Sequence, residues 1–135
     1  MTDAPLLDTH IWVWWVVGDE RLSPQLVERL DGFPEANRPV ISAISLWEVA
    51  MLMGLGRLNL KMPIDQWFRH AGNAATIQTW PITTQIAAEV AALPDTFHRD
   101  PADRLIVATS RQRNVPLLTM DRRIVESGLA RLWKA

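Results

Sequence analysis

The sequence predicts a three-layer α/β/α domain built on a central, mostly parallel sheet. Short apolar runs that follow breakers alternate with segments of helical spacing along the whole chain, and that alternation implies parallel pairing through helical crossovers. With 135 residues, 48% of them hydrophobic, the chain is long enough for one core and too short for two ordinary domains. There is no internal repeat, low-complexity tract or linker, and Pro and Gly punctuate the elements instead of clustering. A single domain over residues 1–135 follows.

The elements can be taken in order. Pro5 to Leu7 reads as a first strand, and Thr9 to Val17 as a helix that is apolar on every side. Pro24 to Leu30 is helical, with proline at its start. Pro39 to Ile41 is a second strand and Ile44 to Leu55 the helix after it. Ile64 to Ala74 is a further helix, Thr76 to Ile82 a strand, Thr84 to Leu93 a helix, and Pro101 to Arg113 a helix opened by Asp100-Pro101. Pro116 to Leu118, Arg122 to Glu126 and Ala130 to Trp133 complete the pattern as strand, helix and terminal strand.

Composition narrows the chemistry. Charged residues are 21% and the net charge is -1, so neither a disordered chain nor a globally basic nucleic-acid coat is implied, and any such contact must be local or metal-assisted. The absence of cysteine excludes disulfides, thiolate metal sites and cysteine nucleophiles. The apolar run Ile11 to Val17 is far shorter than the ~20 residues of a membrane span and has no basic region before it. It is expected to be neither an anchor nor a signal peptide.

Four carboxylates stand at strand-to-helix junctions. Asp8 closes the first strand, Glu48 follows the second, Asp103 sits in the first turn after Asp100-Pro101, and Asp121 follows Leu117-Leu118. Each has a local explanation as a helix cap, and Ser45-Leu46-Trp47-Glu48 fits a capping box. Their joint position suggests more. The C-terminal ends of parallel strands lie along one edge, where ligands bind, so the four acids would face one another across one cleft. Glu48 also falls among Ile44, Trp47, Met51 and Leu55, which read as the buried stripe of its helix.

Carboxylates held close together repel unless a cation neutralises them. Oxygen ligands without cysteine or a histidine pair favour Mg2+ or Mn2+ over Zn2+. A metal-activated water then hydrolyses phosphodiesters with no nucleophilic side chain.

The order Leu7-Asp8-Thr9-His10, then Ser42 with Glu48 beyond it, then Asp100-Pro101-Ala102-Asp103-Arg104-Leu105, then Leu118-Thr119-Met120-Asp121, resembles a PIN-domain ribonuclease of the VapC toxin type. Gly56-Arg57-Leu58-Asn59-Leu60 is similar to that family as well, and the likeness spans nearly the whole chain. The resemblance implies a PIN-like fold and a Mg2+- or Mn2+-dependent endoribonuclease. It further implies the toxin of a type II toxin–antitoxin pair, neutralised by a small cognate antitoxin protein. Residue by residue, the acidic site maps onto Asp8, Glu48, Asp103 and Asp121, with Asp100 as a cap, a partner of a ligand or a further ligand. Thr119, Thr9 and Ser42 would order water or orient ligands through their hydroxyls. A cytoplasmic homodimer, or a toxin–antitoxin hetero-oligomer, acting on RNA and not on membranes is expected.

Arg99, Arg104, Arg122 and Arg123 flank the acidic motifs and are candidates for RNA contact, against salt bridging as the plainer role. His10, His70 and His98 lie far apart and none is assigned as a general base. Of the seven tryptophans, Trp47, Trp80 and Trp133 read as core. The all-round apolar helix Ile11 to Val17 and Met51-Leu52-Met53-Gly54-Leu55 read as an antitoxin-binding surface. Two other readings compete. One keeps the fold as a non-catalytic binding module whose acids only cap helices. The other makes Asp8 a phosphorylated aspartate of a receiver-like or haloacid-dehalogenase-like domain, for which Lys61 and Lys134 are poorly placed.

Overall fold

The computed structural model describes residues 4–134. Its strands are β1 (Leu6–Leu7), β2 (Val40–Ser42), β3 (Gln78–Trp80) and β4 (Leu117–Leu118), in the order β3-β2-β1-β4 and all parallel. Among the described residues the helices are α1 (Thr9–Val17), α2 (Pro24–Asp31), α3 (Ala43–Gly54), α4 (Ile64–Ala71), α5 (Thr84–Ala92), α6 (Pro101–Arg113) and α7 (Arg122–Ser127). The three-layer expectation holds.

Strand alternation makes the layers. Leu6, Val40 and Leu117 are in register and point to one face, where they pack with Ile86 of α5, Ile106 and Val107 of α6 and Ile124 of α7. Leu7, Ile41 and Leu118 point to the other, against Trp12 of α1, Leu26 and Leu30 of α2 and Trp67 of α4. Both faces are covered, which is why the strands read as unbroken apolar pairs and not as an alternating pattern.

The chain runs outward from β1 to β2 to β3 and then returns to place β4 on the other side of β1. The order therefore reverses between β1 and β4. At such a switch point the connections leave in opposite directions and open a crevice beyond the strand C-termini. Asp8 and Thr119 are the residues that follow β1 and β4.

Several expectations need correction. The terminal strand shrinks to a single parallel bridge between Leu117 and Leu132, held by Leu117 N donating to Arg131 O (2.8 Å) and Trp133 N donating to Leu117 O (2.9 Å). The strand expected from Thr76 starts only at Gln78, because the Thr76 and Ile77 amides close a turn onto Asn73 O. The helix expected to reach Ala74 ends at Ala71, with Gly72 as its cap.

The capping box is absent. Ser42 caps α3 by accepting from Ile44 N (3.2 Å), which leaves Ser45 and Glu48 inside the helix. The buried residues of α3 are Ser45, Glu48 and Val49, so Trp47 is 49% exposed and Leu55 60% exposed instead of packing in the core. Glu48 is buried as expected, but by a different face: the helix turns its polar residues inward toward the acidic crevice. Trp80 is half-buried beneath the Arg113 guanidinium, 4.1 Å from the ring centre, while Trp133 is buried.

Candidate functional site

Asp8 leaves the end of β1 in extended conformation, and its amide donates to Leu118 O (3.0 Å), which continues the β1–β4 pairing to the edge. It occupies the N-cap position of α1, yet its side chain makes no cap hydrogen bond. Instead its Oδ2 accepts from Thr119 Oγ1 (2.7 Å), and the same hydroxyl oxygen accepts from Asp121 N (3.0 Å). One threonine thus fixes Asp8 and begins the turn that presents Asp121.

Asp100 does cap α6, accepting from Asp103 N at 3.0 Å, with Pro101 at the first helical position. That cap fixes the first turn and so the place of Asp103. Asp121 likewise caps α7 through Arg123 N (2.9 Å). Thr9 Oγ1 and Ser45 Oγ lie 2.7 Å apart and join α1 to α3 beside Glu48.

Three of the four carboxylates are buried: Asp8 is 3% exposed, Glu48 7% and Asp103 7%. Burial raises the pKa of all three, because the charged form loses its water. Asp8 is drawn back by the Thr119 hydroxyl, His10 and the Thr9 amide, and raised again by Asp121. Glu48 is drawn back by the Thr9 hydroxyl and raised by the charges of Asp100, Asp103 and Asp8. Asp103 is pushed up to about 6, the His98 hydrogen bond opposing burial while Asp8 and Asp100 add to it. The acids therefore sense one another across the crevice, as four independent caps would not. Asp121 is less buried. Desolvation raises it, but the Arg123 side chain and the Arg123 and Ile124 amides outweigh that and hold it below the usual range.

His98 is the residue that the sequence did not single out. Its Nε2 lies 2.6 Å from Asp103 Oδ2, an imidazole–carboxylate hydrogen bond between partly buried side chains. Phe97 stacks edge-on against the ring at 4.4 Å. Arg104 donates to the carbonyls of Pro94 (3.2 Å), Phe97 (2.8 Å) and His98 (3.0 Å), so its guanidinium braces the loop that carries His98. The available signal was the spacing His98-Arg99-Asp100-Pro101-Ala102-Asp103, in which the proline turn folds the histidine back over the acid.

The other arginines divide. Arg123 reaches both Asp121 Oδ2 (3.2 Å) and Asp103 Oδ2 (3.9 Å) at the crevice mouth, and exposed Arg122 pairs with Glu126 along α7. Arg99 is exposed. Ser42 is buried at the end of β2 as the α3 cap.

As the side chains stand, no three Asp, Glu, His or Cys groups among the described residues are disposed to hold one metal ion directly. One Asp103 oxygen is engaged by His98 and Asp121 is engaged by Arg123. The chemistry of the donor set nevertheless fits a hard divalent cation. Three buried carboxylates raise one another's proton affinity, and Glu48 Oε1 is buried with no hydrogen-bond partner. A buried acceptor without a donor is costly unless something positive meets it.

A cavity of about 230 Å³ opens at this point, lined by Asp8, His10, Trp14, Met120 and Asp121. A larger surface concavity, about 710 Å³, lies elsewhere, between the end of α1 and residues Asn59 to Met62. Charge and buried acceptors, not volume, single out the candidate site.

Residues 6–128 match the PIN domain family. The chain is 37% identical over 119 residues to ribonuclease VapC22 of Mycobacterium tuberculosis, an alignment that covers 88% of each chain. In three dimensions it is similar to a toxin–antitoxin complex from Klebsiella pneumoniae, with TM-score 0.65, 22% identity, and 94% of this chain and 95% of that one covered. It is also similar to VapBC2 from Rickettsia felis bound to a DNA fragment from their promoter, with TM-score 0.68, 16% identity, and 96% and 97% covered. At those identities the structural likenesses speak for the fold.

Proposed function

We infer that this chain, which belongs to the PIN domain family, is a VapC-type ribonuclease and the toxin of a toxin–antitoxin pair. The finer reading is a divalent-metal-dependent endoribonuclease that hydrolyses RNA phosphodiester bonds. The observation that carries it is the set Asp8, Glu48 and Asp103: buried, mutually repelling, and converging on the switch-point crevice from β1, α3 and α6. The competing view of a binding module with capping acids accounts for Asp100 and Asp121 but not for Asp8, whose carboxylate caps nothing.

Asp8, Glu48, Asp103 and Asp121 are the residues we propose to hold Mg2+, or Mn2+ in its place, with Asp100 positioning the first turn of α6. When bound, such an ion supplies the water activation and charge neutralisation that phosphodiester hydrolysis needs. The protein's own residues supply position. Thr119 holds Asp8 Oδ2, and His98 holds Asp103 Oδ2. Thr9 and Ser45 tie α1 to α3 beside Glu48. Such partners fix carboxylate orientation before any ligand arrives. Arg123 at the mouth, and exposed Arg99 and Arg122, are the proposed cationic contacts to RNA phosphates, a role from which Arg104 is withdrawn by its three carbonyl partners.

A small antitoxin protein is the proposed inhibitory partner. The exposed Trp47 of α3, Leu55 just beyond its C-terminal end and Val17 of α1 support this, being large apolar side chains left uncovered along two neighbouring helices. Among the described residues no helix is long and apolar enough to cross a membrane. A cytoplasmic homodimer, or a hetero-oligomer with the antitoxin, completes the proposal.

The test is cleavage of single-stranded RNA by purified protein with Mg2+, with chelator, and as Asp8→Asn. Cleavage that needs the metal and disappears in the variant is expected. Full cleavage by Asp8→Asn, or in excess chelator, would refute the assigned site.

A further inference from the structure

We propose that the cleft bounded by His10, Trp14, Arg21, Arg57 and Asn59 is a nucleotide subsite, which receives a base and phosphate of single-stranded RNA flanking the bond to be cut. The proposal rests on the ribonuclease reading above and assigns a place where the substrate lies.

Continuity is the first observation. The cleft has a volume of about 600 Å³ and shares His10 and Trp14 with the small cavity that contains Asp8 and Asp121. A strand whose phosphate meets the acids would therefore run its next nucleotide past these two rings.

The lining has the chemistry of a nucleotide. His10 is exposed and lies 5.9 Å from Trp14, ring centre to ring centre, the two tilted by 46°. Trp14 is only half-buried, whereas Trp12 on the same helix is buried and packs edge-on against Trp67. A tryptophan facing a cleft beside a nuclease centre offers a π-face to any base, which is how sequence-tolerant single-strand binding is built. Arg21 lies 5.1 Å above the same ring, anchored by Asp19 at 3.2 Å.

Charge supplies the rest. The acidic centre repels RNA, and the net charge of -1 provides no general attraction. Arg57 is exposed, and among the described residues its guanidinium has no carboxylate or carbonyl partner. An unpaired arginine at the rim suits a phosphate better than an apolar protein helix. Asn59 turns its Oδ1 to Lys61 N (2.9 Å), which leaves its amide NH2 as a donor for a base edge. The same segment, Gly56 to Leu60, stood out in the sequence without a function, and this subsite gives it one.

The experiment uses the full chain as Asp103→Asn with Mg2+, so that RNA is bound but not cut, and measures anisotropy of a 5′-fluorescein-labelled single-stranded RNA of mixed sequence. Adding Arg57→Ala should weaken binding several-fold and lower the dependence of log affinity on log salt by about one. Adding Trp14→Leu, which keeps apolar volume and removes the π-face, should weaken it about tenfold or more. Arg57→Ala made in the otherwise wild-type chain, at an exposed position, should leave the melting temperature and its Mg2+-induced rise unchanged.

Unchanged RNA affinity in both variants would overturn the subsite alone. Unchanged RNA affinity together with lost neutralisation by the antitoxin would overturn it in favour of a protein-binding cleft. Absence of RNA binding in the parent protein and in wild type would overturn the ribonuclease reading and the subsite with it.

Discussion

Thr119 and Asp8 stand 111 residues apart in the chain and 2.7 Å apart in the fold, the threonine hydroxyl donating to the aspartate Oδ2 across the β1–β4 switch point. This bond is what turns a potential helix cap into a carboxylate aimed at a crevice. Thr119→Val removes the donor and leaves a buried acceptor, at a stability cost of about 1–3 kcal/mol. RNA cleavage should fall by roughly 10–100-fold. Thr119→Ser should restore most of both, and kcat/KM for a labelled RNA with a parallel melting curve would show it.

Asp103→Asn should abolish cleavage yet melt at a higher temperature than wild type in chelator, since it removes a charge whose burial raises its pKa to about 6. The stabilisation is on the order of 3 kcal/mol, the linkage equivalent of that shift. Divalent metal should raise the melting temperature of wild type and leave Asp103→Asn nearly unmoved. A variant that melts lower than wild type under chelation would contradict a buried, uncompensated carboxylate.

The pH dependence has a definite sign. A carboxyl whose folded pKa is raised binds more protons when folded than when unfolded, so it favours folding below the unfolded value and loses that contribution as pH rises through the folded value. Asp103 therefore makes the protein in chelator more stable near pH 5 than at pH 7, with most of the change between the ordinary aspartate value of 3.8 and about 6. Asp8 and Glu48, also raised, act in the same direction. Asp121 is lowered and opposes them only under more acidic conditions. Saturating Mg2+ should flatten the profile, and melting curves in chelator that are already flat from pH 4.5 to 8 would show the acids to be independently solvated.

Asp100→Ala tests a cap against a ligand. Loss of the bond to Asp103 N should cost about 1 kcal/mol. Asp100→Asn, which still caps, should retain cleavage within a few-fold if Asp100 only positions the helix. A collapse of activity in Asp100→Asn with stability intact would make it a ligand.

For the partner surface, Trp47→Glu with Leu55→Glu should leave cleavage unchanged and abolish protection by coexpressed antitoxin. Both side chains are exposed, unlike Trp15, whose indole NH donates to Asp31 Oδ1 at 2.9 Å, and half-buried Met53. Undiminished neutralisation would remove α3 from the interface.

How much of this was legible in one dimension depends on the range of the forces involved. Pro24 and Pro101 at helix starts, and Asp100 as a cap, are local events decided within a turn, and they stand where the sequence puts them. The exposed Trp47 was misread because helical period identifies a stripe without saying what the stripe faces. Here the polar Ser45 and Glu48 face inward to meet Thr9 and the acids, and the apolar side turns out. His98 was weighed with the other histidines and left without a role because its partner lies beyond a proline turn, and no periodicity connects them.

The sequence by itself determined the alternation of strand and helix, hence the parallel sheet, and with it the place of Asp8 and Asp121 at strand-to-helix junctions; Glu48 lies instead inside α3, and Asp103 in the first turn of α6, which follows α5 and not a strand. Only the tertiary structure decided that β4 lies beside β1, that Thr119 and His98 orient two of those acids, and that His10 and Trp14 wall the passage from them to Arg57. The physical reason is that hydrophobic pattern and capping act between near neighbours along the chain. Strand order and the meeting of buried charges depend on contacts between distant segments, which the folded sheet alone brings together.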